Sequence, residues 1–518
     1  MLYHIIFIKK RRKNMKKLLS LLLAGLMLVS MAACAKTDDP ADNPGQGTQA
    51  DTSLGDAEIV DPSVALGLPA DLKYANDNVS ILYPKNTNFA SEIYSAKLGN
   101  GVVADSVYER NLAVEERLAV KLQCNESEDV IGDLTKDIQS GLGDYHLVAN
   151  TTHSTVPAVV EGKFLNLSGL DNIDMSKAYW SQGYGDMVTF TEDNMQFLAS
   201  GSLAISMYRY MYTTMYNKAL FKDNQLPDLY DIVINGEWTL DKQYALSKDH
   251  YVDSDGDGAV SKGDFYGFVT GNCISVDPYM VATDTHLIIK DADTNDLTYN
   301  GEITAKLSDV CDKVQLIYND ASTYVYNGAS EDDVMVTSII DHFTAEKALM
   351  ITTLFVQMEM NYENLAPMSY GIAPMPKFDT HQQSYFSYVQ DQVTGFGISS
   401  VVGDPAQQEM YAAVLETMAY FSHKMVRPAY YDTALSERYM QDPQSKEILD
   451  LIYDTVYFDF SSTCANMLPV VTRDNLRGLL SSTSNTIASS TRVWEKNIKN
   501  GMHKINKNLA TVAENQSK

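Results

Sequence analysis

The sequence predicts an α/β protein with two lobes. Its 518 residues are 45% apolar and 21% charged, which is enough apolar surface for two separate cores. Between residues 79 and 149, β-like runs alternate with segments whose apolar residues share one helical face. This alternation is typical of helices that cover a mainly parallel sheet.

The first lobe is predicted to begin as strand, helix, strand, helix, strand. The strands are expected at residues 79–83, 120–122 and 145–149, and the intervening helices carry apolar faces built from Val107, Val114 and Leu118, and from Val130, Leu134 and Ile138.

Ligands in open α/β sheets bind beyond the carboxyl ends of strands. In the first lobe this rule selects loops 85–88 and 150–153. The candidate ligand-binding residues are Asn86, Asn88, Asn150, Thr152 and His153. Ordinary turn chemistry is the alternative, because Asn and Thr favour loops in any protein. Trp180 and Tyr184 follow as possible sugar platforms, or as core residues.

The N-terminal region predicts export. Met15 begins a short basic segment, and an apolar run over residues 18–29 follows that is too brief for a permanent membrane helix. Residues 31–34 end in Cys34 and resemble the bacterial lipobox, in which the cysteine is lipidated. We therefore expect residues 1–33 to be a signal peptide, with translation starting at Met1 or Met15. An ordinary signal peptide with a chance cysteine is the alternative.

Residues 34–76 have no sustained apolar period and are rich in Asp, Pro, Gly and Thr, so a flexible tether is expected. The net charge of the chain is -27, although residues 1–33 contribute seven basic side chains and no acidic one. A body this acidic repels phosphate backbones, which argues against a nucleic-acid partner. The cysteines beyond Cys34 lack metal-ligand spacing, and their pairing cannot be assigned.

Residues 198–238 are expected to carry the chain from one lobe to the other. An apolar strand is predicted at residues 203–207, followed by alternating tyrosines at positions 208, 210 and 212. Buried tyrosines need hydroxyl partners, so this face is interpreted as a cleft wall. Arg209 and Tyr210 are the strongest ligand-binding candidates, and a strand would place them on opposite sides.

Residues 253–264 match a twelve-position calcium loop, with carboxylates at positions 1, 3 and 5, a glycine at the tight turn and an acid at position 12. Aspartate rather than glutamate at the last position predicts modest affinity, and the β-like run that follows predicts a structural ion rather than a switch. A solvated acidic turn is the alternative. The expected ligands are Asp253, Asp255, Asp257, Ala259, Ser261 and Asp264.

Four segments carry a family resemblance in the same order along the chain: residues 215–221 (MYNKALF), 236–239 (GEWT), 343–350 (FTAEKALM) and 370–376 (YGIAPMP). Together they resemble the extracellular solute-binding proteins of bacterial ABC transporters, the maltose-binding-protein-like family 1. At Glu346 the family usually has glycine, which leaves the turn there in doubt.

The resemblance implies a two-lobed periplasmic-binding-protein-like (type II) fold, in which discontinuous lobes are joined by a hinge and enclose an interlobe cleft. The first lobe would comprise residues 77–207 and 395–438, and the second residues 208–394 and 439–518, with the calcium-type loop at 253–264. It also adds Phe355 and Arg473 as ligand-binding candidates.

The resemblance further implies capture of a small solute, most simply a carbohydrate, by a monomer anchored through Cys34 at the outer face of the membrane. Delivery to ABC permease subunits would follow. A surface-anchored glycan-degrading enzyme with a structural calcium site is the alternative. No Gly-x-Ser-x-Gly, HExxH or phosphate loop occurs, but a pair of catalytic carboxylates stays open among so many acids.

Overall fold

Two larger sheets and three two-stranded sheets, with flanking helices, make up the computed structural model, which describes residues 61–327, 332–435, 442–468 and 473–516. The lipidation and signal-peptide predictions lie outside the described residues. The strands are β1 (Asp77–Pro84), β2 (Val120–Ser127), β3 (Leu147–Thr151), β4 (Thr189–Phe190), β5 (Met195–Gln196), β6 (Tyr212–Asn217), β7 (Tyr266–Gly271), β8 (Ile288–Lys290), β9 (Leu297–Tyr299), β10 (Thr323–Tyr326), β11 (Ala348–Leu354), β12 (Tyr370–Ala373), β13 (Ser387–Tyr388), β14 (Thr394–Ile398) and β15 (Val456–Tyr457).

Helices flank both sheets. They are α1 (Thr87–Ile93), α2 (Val102–Leu118), α3 (Val130–Ser140), α4 (Thr152–Val160), α5 (Gln182–Val188), α6 (Ser206–Arg209), α7 (Lys218–Asp223), α8 (Leu229–Ile234), α9 (Leu240–Ser247), α10 (Pro278–Ala282), α11 (Thr304–Tyr318), α12 (Asp332–Thr344), α13 (Phe355–Met360), α14 (Tyr362–Leu365), α15 (Pro405–Phe421), α16 (Pro443–Asp454), α17 (Phe460–Thr463), α18 (Arg473–Leu480) and α19 (Ile487–Gln516). After α15 the chain continues as π-helical turns over Ser422–Val426 and Ala429–Leu435.

The first sheet has the strand order β14-β3-β1-β2. Strands β1, β2 and β3 are parallel, and β14 returns antiparallel to β3 from far along the chain. The predicted apolar face of α2 is confirmed, since Val107, Val114 and Leu118 are fully buried. Residues on one face of a helix recur every three to four positions, and the sequence shows apolar residues at this spacing.

The second sheet has the order β10-β7-β11-β6-β12, with β6 antiparallel to both neighbours and the remaining pairs parallel. Every residue of β6, β7, β11 and β12 is buried. Strands covered on both faces read as continuous rather than alternating apolar runs. The predicted α/β class is therefore confirmed. The lobe boundaries themselves stay predictions.

The strand predicted around residues 203–212 is wrong. Residues Ser206–Arg209 form one helical turn, in which the Tyr210 amide donates to the Ser206 carbonyl, and β6 begins only at Tyr212. Tertiary contacts explain the difference, because the buried Glu92 carboxylate accepts hydrogen bonds from the amide (2.7 Å) and hydroxyl (3.2 Å) of Ser206. The alternating tyrosines therefore suggested a strand, but the hydrogen bonds to Glu92 hold this backbone in a helical turn.

The turn before β11 keeps the geometry expected of a glycine. Glu346, which stands where the resembling family has glycine, adopts φ +58°, in the left-handed region. Its backbone amide donates to the Phe343 carbonyl at 2.9 Å. The turn therefore survives the substitution at some cost in backbone strain.

Candidate functional site

The carboxyl ends of strands from both sheets meet at one junction. Asn88 follows β1, His153 follows β3, and Glu359 lies in α13, directly after β11. The short helix α6, which comes just before β6, ends at Arg209 and contacts Asn88 and Glu359 through that residue. Because ligands of open α/β sheets bind beyond such strand ends, this interlobe junction is the candidate site.

Arg209 joins the two sides of the junction. Its Nε and Nη2 atoms each donate to Glu359 at 2.9 Å, while Nη1 donates to the Asn88 carbonyl at 3.1 Å and to the Ser91 hydroxyl at 3.3 Å. Burial would lower the pKa of Arg209, but the hydrogen bonds and charge of Glu359 outweigh burial and raise it. The Arg209 guanidinium, which was predicted to bind solute, therefore donates its hydrogen bonds to protein groups on both sides of the junction.

Tyr210 and Asn86 support the same corner. The Tyr210 ring stacks on Phe89 with centroids 5.6 Å apart and planes 15° apart. Asn86 caps α1, because its side chain accepts the Asn88 amide at 2.9 Å. Both residues thus fix the position of Asn88, whose carbonyl receives Arg209.

The loop after β3 holds three predicted residues in different settings. The Asn150 side chain accepts the Thr151 amide at 2.8 Å. Thr152 is fully buried, and its hydroxyl donates to the Val393 carbonyl at 2.8 Å, so it joins the end of β3 to the residue just before β14. His153 is about one-third exposed, with Nδ1 lying 3.1 Å from Oδ2 of the buried Asp391. Of the three, His153 is the one best placed for a solute.

The two candidates implied by resemblance lie on the second side. Phe355 is fully buried at the start of α13, and its amide donates to the Met211 carbonyl at 3.2 Å. Its ring therefore supports the junction from within the core. Arg473 begins α18, and its side chain lies outside the described residues.

Four acids and one arginine at the junction were missed by sequence reasoning: Glu92, Asp277, Glu359, Asp391 and Arg477. Arg477 and Asp277 form a two-pronged ion pair, with Nε to Oδ1 at 2.7 Å and Nη2 to Oδ2 at 2.6 Å.

Glu92, in α1, contacts both α6 and the start of β14. Besides its two hydrogen bonds from Ser206, its carboxylate accepts one from the Thr394 hydroxyl at the start of β14. Arg110, also fully buried, donates to the Glu92 carbonyl at 2.9 Å. Burial is the largest cause that raises the pKa of Glu92 to about 7.

The predicted calcium loop has a metal-compatible arrangement. Oxygen atoms of Asp253, Asp255 and Asp257 lie within 4.8 Å of one another. A methyl group placed on Gly263 would lie 3.0 Å from Oδ2 of Asp255 and 3.1 Å from Oγ of Ser261, so these two oxygens face a common point. Three of the six predicted ligands therefore converge, and a fourth, Ser261, lies on the side of Asp255.

The other two predicted ligands, Ala259 and Asp264, make hydrogen bonds within the loop. The Ala259 amide donates to Asp257 at 2.7 Å. The fully buried Asp264 carboxylate accepts the amides of Ser254 (3.1 Å) and Ser261 (2.9 Å). Burial acts to raise the pKa of Asp264, but these hydrogen bonds outweigh it and lower the pKa. Asp264 therefore stays ionised and braces the loop from inside.

The two possible sugar platforms belong to the core. Trp180 is 4% exposed and donates its indole N–H to Glu416 at 2.9 Å. Tyr184 is fully buried, with its hydroxyl 3.1 Å from that of Thr152. Neither ring is available to a solute in this structure.

Comparison with solved structures confirms the fold. Over 81% of this chain and 99% of the other, it is similar to a sugar transporter protein from Rhizobium etli in an open conformation (14% identity, TM-score 0.53). It is also similar to the galacto-N-biose-/lacto-N-biose I-binding protein of an ABC transporter from Bifidobacterium longum, in complex with lacto-N-biose (11% identity, 84% and 98% covered, TM-score 0.51). A third is a cyclo/maltodextrin-binding protein complexed with maltotetraose (14%, 84% and 97%, TM-score 0.50).

No family model and no curated protein sequence matches the chain. At these low identities the structural matches establish the two-lobed solute-binding-protein fold. Within the described part of the chain, every helix is too short or too polar to cross a lipid bilayer.

Proposed function

We propose that this protein is an extracytoplasmic solute-binding lipoprotein that captures a carbohydrate or oligosaccharide and delivers it to an ABC importer. The observation that carries the proposal is the junction itself, where strand ends of two sheets converge and Arg209 bridges them. Structures with the same fold hold lacto-N-biose and maltotetraose, which supports a sugar as the solute.

In this mechanism the lobes close on the solute as a hinge, and the solute stabilises the closed state by contacts with both sides. Asn88 and His153 would contribute from the first lobe. Asp277 and Arg477 would contribute from the second. Arg209 and Glu92 act on the segments that bend between the lobes rather than on the solute.

A thermal-shift screen of oligosaccharides, followed by calorimetry, tests the proposal. A solute that binds only the folded state stabilises it by about 2.7 kcal/mol at a hundredfold excess over Kd, so a clear rise in Tm is expected. Stoichiometric binding with the saccharide recovered intact supports a binding protein. Release of shorter products would favour the glycan-degrading alternative instead.

The proposed anchor is a lipid on Cys34. Acyl chains would hold an otherwise water-exposed body at the outer face of the membrane. Expression of a Cys34→Ala variant should move the protein from the membrane fraction to the medium. Full retention of the variant in membranes would contradict the proposed anchor.

We also propose one calcium ion in the 253–264 loop, held by Asp253, Asp255, Asp257, the Ala259 carbonyl and Ser261, with Asp264 as the bracing acid. Clustered carboxylates of this kind are the hard oxygen ligands that calcium prefers, and a Kd of roughly 0.1 to 1 mM is expected.

Calcium should raise the Tm of the parent, and Asp255→Asn should remove most of that rise. The matched control is Asp293→Asn, which alters another acidic turn that lacks the twelve-residue pattern. Identical melting curves of the parent in saturating calcium and in chelator would contradict the proposed calcium site.

A further inference from the structure

One buried hydroxyl at the junction has no hydrogen-bond partner among the described residues. It belongs to Tyr212, the first residue of β6, which is 1% exposed. Its ring stacks on Tyr388 with centroids 5.6 Å apart and planes 6° apart, so the ring cannot turn the hydroxyl elsewhere without losing this contact. Because an unpaired buried hydroxyl costs stability, folded proteins rarely retain one without a further partner.

Two acid–base pairs lie close enough to act on this hydroxyl electrostatically, and we call them the flanking pairs. One is Asp277 with Arg477, and the other is Asp391 with His153. Burial raises the pKa of Tyr212 well above its ordinary value, and the carboxylates of Asp277 and Asp391 add to that rise. The phenol therefore stays protonated and available as a donor.

Each acid that acts on the hydroxyl already has a basic partner in the protein. Arg477 pairs with Asp277, and Nδ1 of His153 lies 3.1 Å from the Asp391 carboxylate. A charged solute would have to break one of these pairs or bring its own charge in uncompensated, and both are costly in a buried site. A sugar hydroxyl can accept a hydrogen bond from a phenol while it donates one to a carboxylate oxygen.

We infer that Tyr212 donates a hydrogen bond to a solute hydroxyl, and that the flanking pairs Asp277–Arg477 and Asp391–His153 restrict the site to uncharged, hydroxyl-rich solutes. This inference rests on the proposed function and specifies its substrate class. Uronic-acid sugars would place a carboxylate against Asp277 and Asp391. Amino sugars would compete with Arg477 and His153 for those same acids.

The test compares neutral trimers of glucose, galactose and N-acetylglucosamine with charged trimers of galacturonate and glucosamine. At least one neutral trimer should bind the parent, and the charged trimers should bind at least tenfold more weakly. Tyr212→Phe should weaken the neutral trimer by about tenfold, the effect of one lost hydrogen bond in a buried site. Charged trimers that bind as tightly as neutral ones would overturn the inference.

A measurement without solute distinguishes this role from a structural one. Tyr212→Phe removes a hydroxyl that has no hydrogen-bond partner in the described part of the chain, so the Tm of the ligand-free variant should equal or exceed that of the parent. The matched control is Tyr279→Phe, whose equally buried hydroxyl lies 3.0 Å from the Gln243 amide nitrogen. This control should lower the Tm, because Gln243 loses its partner.

If both variants lowered the ligand-free Tm alike, the Tyr212 hydroxyl would serve the fold and the inference would fail. If no trimer bound the parent, the proposed function would be contradicted for these sugars. The ligand-free Tm values of Tyr212→Phe and Tyr279→Phe would then decide by themselves whether the Tyr212 hydroxyl serves the fold or a bound molecule.

Discussion

Arg209→Ala is expected to lower the free energy of unfolding by about 3 kcal/mol, because it removes the two-pronged ion pair that Arg209 makes with the mostly buried Glu359 carboxylate. Binding of the solute should weaken as well, since the bridge between Asn88 and α13 is lost. Urea denaturation measures the first effect and calorimetry the second.

A double-mutant cycle with Glu359→Ala is the control for this prediction. If Arg209 and Glu359 act on each other, the double variant should lose clearly less stability than the sum of the single variants. Additive losses, with a coupling below about 0.5 kcal/mol, would show that the ion pair does not hold the two sides together.

Glu92→Gln should change how stability depends on pH. The Glu92 carboxyl titrates near 4.5 in its ordinary state and near 7 when folded, because burial disfavours its charge. As pH rises between these values, the unfolded chain has released the proton while the folded chain retains it. The folded protein therefore loses about 3 kcal/mol of stability across this window, and the loss is complete above pH 7.

The glutamine variant keeps hydrogen-bonding capacity without a titrating proton. Relative to the parent, its free energy of unfolding should rise with pH by about that same amount across the window. Glu109→Gln, on the exposed surface of α2, is the control and should follow the parent profile. Parallel profiles for parent and Glu92→Gln would contradict the buried-carboxylate account.

Periodicity was sufficient for the elements of the first lobe but not for the crossing. Residues 107, 114 and 118 repeat at helical spacing, and local spacing is enough to assign α2. The tyrosines at 208, 210 and 212 repeat at strand spacing, yet a contact with Glu92, more than one hundred positions away, decides that backbone. Hydrogen bonds between distant segments override the local backbone preference, and a short stretch of sequence does not reveal them.

The residues of the candidate site that lie in the crossing segment could be predicted, whereas the acids and Arg477 could not. Arg209 and Tyr210 could be placed at the junction because they lie in the crossing segment itself. Their acidic partners could not, because the chain has 67 acidic residues and the partner of Arg209 lies 150 positions away. A sequence shows which residue needs a counter-charge, but folding alone decides which acid supplies it.

The return of β14 to the first sheet has a consequence for biosynthesis. The hydrogen bond from Thr152 to Val393 joins residues 241 positions apart, and the whole second sheet is encoded between them. While the chain is being made, one edge of β3 therefore stays unpaired until the second sheet and then β14 have been synthesised. An open strand edge invites pairing with other chains, so the first lobe depends on the rapid arrival of a segment made long after its own core.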